Sequence, residues 1–139
     1  MKFVVACDGS EPSLRALRHA VKLARAAGAQ LDLITVIEEP PVSPFVQWAG
    51  LDPGYVRGLL ERQAREAREA ALAVTEGAGV TAHFRTLRGR PVDVLLAAAQ
   101  EADLLVLGTH GYRGMDRVLL GSVAESLLRR AQVPLLVVP

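Results

Sequence analysis

Short apolar runs alternate with longer segments of helical period along the whole chain, and this pattern limits the fold more than any other feature. The runs are KFVVAC at 2–7, LDLITVI at 31–37, DLLVL at 103–107 and PLLVV at 134–138. A fifth, VTAHFRTL at 80–87, alternates only weakly and reads as a strand near a sheet edge. Continuous apolar runs of about 4–8 residues that end in turn residues are strands buried on both faces.

The segments between them read as helices. Ser10 is placed to cap the first, with Pro12 tolerated in its opening turn. Leu14, Leu17, Val21 and Ala24 then recur at helical spacing, and Gly28 stops the pattern. Residues 38–54 contain four prolines and no period, which predicts a long loop holding the only tryptophan, Trp48. From Tyr55 to about Gly77 a helix is expected, with Val56, Leu59, Leu60, Ala67, Ala71 and Val74 on its apolar side. Glu61–Arg65, Arg62–Glu66 and Arg65–Glu69 are candidate charge pairs on its wet side. Pro91 opens a helix that turns Val92, Leu95, Leu96 and Ala99 inward, and a last helix runs from Ser122 to about Ala131. The order β-α-β-α-β-α-β-α-β calls for a parallel sheet covered by helices on both faces, a three-layer α/β/α domain spanning 1–139. In such sheets, ligands bind beyond the carboxyl ends of the strands, where the strand order reverses.

Composition removes several functional classes. The formal net charge is +1, so no nucleic-acid footprint stands out. The first apolar run is too short for a signal peptide, and none reaches the ~18 residues of a membrane span. A cytoplasmic location is the expectation. The single cysteine, Cys7, permits no internal disulfide and reads as a small core residue. Three separated histidines beside one cysteine do not make a zinc spacing. His19 and His83 read as structural, and His110 as a hydrogen-bonding loop residue.

The stretch GTHGYRGMDRVLLGS, Gly108 to Ser122, follows an apolar run and carries glycines at 108, 111, 114 and 121. Glycines let a backbone approach a ligand closely and can turn several N–H groups toward one anion. Ser122 then opens a helix, whose first N–H groups and partial positive charge suit phosphate. SVAE, Ser122 to Glu125, also matches a capping box, so the Ser122 hydroxyl has two possible uses. No lysine follows Lys22, which rules out the Walker phosphate loop, and the dinucleotide pattern G-x-G-x-x-G is absent. A G-x-S-x-G elbow is also missing.

Gly108-x2-Gly111-x9-Gly121-Ser122 resembles the G-2x-G-9x-G-[S/T] motif of the universal stress protein family. VVACDGSEPSLRAL, LITVIEE, ADLLVLGTHG and GSVAESLLRRAQVPLLVV are similar to family blocks in the same order, so the resemblance covers nearly the whole chain. It implies an adenine nucleotide alpha hydrolase-like sheet of order 3-2-1-4-5, with the reversal between the first and fourth strands. It further implies ATP as ligand, with Mg2+ accompanying the nucleotide. Gly108, Thr109, His110, Gly111, Arg113 and Gly114 would line the loop side. Gly121, Ser122 and Val123 would meet the phosphates. Val36 would contact adenine, Asp8 would sit near the nucleoside, and Ala6 would leave room for the base. Ala124 departs from relatives that carry a hydroxyl there. The resemblance also implies a homodimer through strand 135–138.

An ATP-binding regulatory protein with at most slow hydrolysis is the expectation, since no general base and no pair of Mg2+ carboxylates is evident. A dimeric interaction module that binds no nucleotide, and a slow adenine-nucleotide hydrolase, are the alternatives.

Overall fold

The computed structural model describes residues 1–39, 50, 52–110 and 120–139. Its elements are β1 (Lys2–Ala6), α1 (Glu11–Ala27), β2 (Gln30–Glu38), α2 (Pro53–Thr75), β3 (Ala82–Gly89), α3 (Pro91–Ala99), β4 (Leu104–Gly108), α4 (Ser122–Arg130) and β5 (Leu135–Val138). The five strands form one parallel sheet of order β3-β2-β1-β4-β5. Val5 is level with Leu33 on one side and Val106 on the other, so β1 lies at the reversal of strand order.

Alternation along β1 divides the core in two. Phe3, Val5 and Cys7 pack with Leu17, Ala20 and Val21 of α1 and Ala71 of α2. Val4 packs on the opposite face with Leu95 and Ala99 of α3, and Ala124 and Leu127 of α4. Helices therefore cover both faces in pairs, and the central strands are mostly apolar because neither face meets water, with buried Asp32 and Thr35 of β2 as polar exceptions.

Local chemistry sets the element ends. Ser10 caps α1, its hydroxyl accepting the Ser13 N–H at 3.3 Å, and Gly28 takes φ 68° to end the helix. The second helix begins at Pro53, inside the segment expected to be loop. Asp52 caps it by accepting the Gly54 N–H at 3.2 Å, and proline is compatible with a first helical position. Trp48 lies outside the described residues. The expected apolar side of α2 holds at Val56, Ala67 and Ala71, but Leu59 is 38% exposed and Ala64 is buried in its place.

None of the three charge pairs expected along α2 forms among the described residues. Glu61 instead accepts from Arg88 of β3 at 2.8 Å, an ion pair across the packing of α2 on that strand. On the same edge strand, Arg85 reaches Asp32 of β2 with Nε at 3.0 Å and Nη2 at 2.5 Å. This fork neutralises a carboxylate whose side chain is only 10% exposed.

Candidate functional site

Two connections shape the crevice at the carboxyl ends of β1, β2 and β4. The first follows β1. Gly9 adopts φ 83°, which lets the chain reverse at Asp8-Gly9-Ser10. Asp8 Oδ1 accepts the Ser10 N–H at 2.8 Å and also the Ser10 hydroxyl. Ser10 is buried while Asp8 is exposed, so the turn pins one carboxylate oxygen and presents the other outward.

The second is the base of the connection between β4 and α4, of which residues 109, 110, 120 and 121 are described. Thr109 donates its N–H to the Val138 carbonyl at 3.0 Å, and its own carbonyl accepts the Gly121 N–H at 2.6 Å. The two stems of the glycine loop thus meet at its base. Close approach requires glycine at position 108 and makes position 121 tight for any larger residue. A β-carbon on Gly108 would lie 2.8 Å from the carbonyl carbon and oxygen of Pro12, and one on Gly121 would lie 3.1 Å from the Thr109 oxygen. The Gly108–Pro12 contact also brings the loop stem against the first turn of α1, beside the Asp8 turn. The Thr109 hydroxyl and His110 Nδ1 are 3.1 Å apart.

The anticipated capping box does not form. Gly121, not Ser122, is the capping residue of α4, with φ −70° and ψ 163° and no side chain to offer. Ser122 is therefore the first helical residue, exposed to solvent. Glu125 uses its N–H for the Gly121 carbonyl at 2.9 Å, and its carboxylate accepts from Arg129 at 2.7 Å rather than turning back. The first N–H groups of α4 consequently have no capping side chain among the described residues. Ala124, the departure from hydroxyl-bearing relatives, is buried in the core at 3% exposure.

A concave cleft opens at the end of β2, lined by Asp8, Thr35, Val36, Ile37, Leu60, Gln63 and Ala64. Asp8 and Val36, two of the expected site residues, share this cleft. Ala6 is half-buried and packs on the same side of the sheet as Val36. Thr109 and His110 meet Gly121 at the loop base, with Gly108 just before them in the chain and Ser122 and Val123 just after Gly121. Gly111, Arg113 and Gly114 lie outside the described residues. The sequence reading missed Thr35, Ile37 and the whole contribution of α2. The available signal was the spacing of Leu60, Gln63 and Ala64, which puts all three on one helical face.

Thr35 has no donor left for a ligand, because its buried hydroxyl donates to the Cys7 carbonyl at 2.5 Å. Burial, reinforced by the nearby charge of Asp8, pushes the Cys7 thiol up to about 12. Cys7 is thus a protonated core residue at neutral pH, not a nucleophile.

A five-stranded parallel sheet of this order, with the reversal beside β1, defines a doubly wound class of α/β proteins, in which the carboxyl ends of the strands at the reversal form the usual ligand crevice. The universal stress protein family model matches residues 1–139, and the chain belongs to that family. Universal stress protein MJ0531 of Methanocaldococcus jannaschii is 37% identical over 99% of this chain and 81% of its own. A Thermus aquaticus universal stress protein is 34% identical over 97% of this chain and 96% of its own. Among solved structures, universal stress protein UspA from Lactobacillus plantarum shares the fold, with a TM-score of 0.81 at 21% identity over 100% of this chain and 97% of that one. A universal stress protein in complex with cAMP is 34% identical, with a TM-score of 0.65 over 99% of this chain and 95% of that one. No helix among the described residues is long and apolar enough to cross a membrane.

Proposed function

We propose that this chain is an ATP-binding regulatory protein of the universal stress type. The observation that carries the reading is the juxtaposition at the strand reversal. An apolar cleft containing Val36 and Asp8 lies at the ends of β1 and β2, and the start of α4, which has no capping side chain among the described residues, lies near the end of β4. A purine packs against Val36 in this reading, and the free oxygen of Asp8 accepts from ribose hydroxyls or the base. The phosphates take the backbone N–H groups of Ser122 and Val123 with the Ser122 hydroxyl. Gly121 acts mainly by closing the loop base, since its own N–H is held by Thr109. Mg2+ arrives with the phosphates, as is usual for a cation that keeps much of its water. The cAMP complex of a 34% identical relative supports an adenine nucleotide as ligand class. Hydrolysis, if measured, is slow, and signalling proceeds through a nucleotide-dependent conformation or partner. The exposed edge of β5 pairs with a second copy to give a homodimer, and the protein works in the cytoplasm.

The test is calorimetric titration with ATP and Mg2+ of the wild type and of Ser122→Glu. A carboxylate at the first position of α4 favours the helix through its dipole but repels phosphate. Saturable wild-type binding, weakened about tenfold or more in a variant of equal or higher melting temperature, is the expected result. No wild-type binding would overturn the proposal and leave the nucleotide-free interaction module.

A further inference from the structure

The cleft at the end of β2 holds one polar group that the nucleotide reading above does not use. Leu60, Gln63 and Ala64 project from one face of α2, at spacings of three and four residues. Leu60 is half-buried and supplies an apolar wall, and Ala64, at 6% exposure, is too small to fill the space in front of it. Gln63 stands at the rim. Its amide makes no side-chain hydrogen bond to any described residue, whereas the other polar side chains of the cleft are partly or wholly engaged. Thr35 is spent on Cys7, and Asp8 has one oxygen held by Ser10. The cleft is thus an apolar slot bounded by Val36, Ile37, Leu60 and Ala64, with a neutral donor–acceptor pair at its edge.

We infer that Gln63 is a specificity-determining residue of this site, its amide reading the purine edge formed by the 6-amino group and N7. The inference rests on the nucleotide reading of the crevice. An amide oxygen accepts from a 6-amino group while its NH2 donates to N7, a bidentate match to adenine. A purine with oxygen at position 6 presents two acceptors on that edge and satisfies only half of the amide. A carboxylate at this position would accept from the amino group but oppose N7. Gln63 therefore favours adenine through side-chain chemistry carried by α2, independently of the phosphate contacts at α4.

A thermodynamic cycle tests this, with wild type and Gln63→Leu each titrated with ATP, 7-deaza-ATP and inorganic tripolyphosphate. In 7-deaza-ATP a C–H replaces the N7 acceptor and the rest of the nucleotide is unchanged. The expected result is that wild type binds ATP about tenfold more tightly than 7-deaza-ATP. In Gln63→Leu that ratio falls to near one, while tripolyphosphate binding stays unchanged. Because position 63 is exposed, the leucine variant is expected to melt with the wild type. Gln63→Glu serves as the second variant, with ATP affinity reduced to the level of the leucine protein or below. An ATP to 7-deaza-ATP ratio that is the same in wild type and Gln63→Leu overturns the role of Gln63 and leaves the nucleotide site standing. A wild type that binds neither ATP nor tripolyphosphate overturns the nucleotide reading and this inference together.

Discussion

A β-carbon at Gly108 would sit 2.8 Å from the backbone of Pro12, a separation that atoms of a rigid helix start cannot relieve cheaply. Gly58 is the opposite case. It lies inside α2, faces solvent, and a β-carbon there would meet nothing within 4 Å. The two glycines look alike as letters, but their substitutions have opposite signs. Gly108→Ala is expected to cost about 1–3 kcal/mol through overpacking. Gly58→Ala is expected to gain about 0.5–1 kcal/mol, because glycine forfeits more backbone entropy in a helix. Midpoints of urea unfolding measure both, and a neutral Gly108→Ala would show that the β4 stem and α1 yield to each other. Gly108 was legible in the sequence as a loop glycine. Its contact with Pro12 was not, since the two residues are brought together only by the pairing of β1 with β4.

At the scale of elements, α1 shows how one residue serves two structures. Ser10 closes the Asp8 turn with its N–H and hydroxyl, and accepts from the Ser13 N–H to start the helix. Ser10→Ala keeps the backbone N–H bond to Asp8 but removes the cap. A loss of about 1 kcal/mol in unfolding free energy is expected, the ordinary worth of a helix cap. A variant as stable as wild type would mean that the Asp8 turn alone fixes the start of α1. This cap was readable because Ser10 lies just ahead of a periodic apolar pattern. The cap of α4 was misplaced by one residue for a physical reason. SVAE carries the side chains of a capping box, but Gly121 is held against Thr109 by a tertiary hydrogen bond and takes the capping conformation itself. Likewise α2 starts two residues before the expected Tyr55, because Asp52-Pro53 is a helix opening that resembles loop composition when read beside three other prolines.

For the whole molecule, β3 and β5 are the two sheet edges and they differ. Arg85 and Arg88 mark β3 with charge, a common defence against strand pairing. In contrast, β5 offers Leu135, Leu136 and Val137, all only half-buried in a single chain. A homodimer through β5 at micromolar concentration is the expected outcome of sedimentation analysis, and a monomer there would overturn it. The sequence by itself determined the order and type of the elements, the buried character of the central strands and the membership of the glycine loop in a known pattern. All of these are written in local periodicity and turn chemistry, which act over a few neighbouring residues. Tertiary structure decided which groups remain available to a ligand. It committed Thr35 to Cys7, Gly121 to Thr109 and Glu61 to Arg88, and it carried Gln63 of α2 to the edge of the cleft that holds Asp8 and Val36. Those pairings join residues far apart in the chain, and no local pattern encodes them until the sheet register brings their elements together.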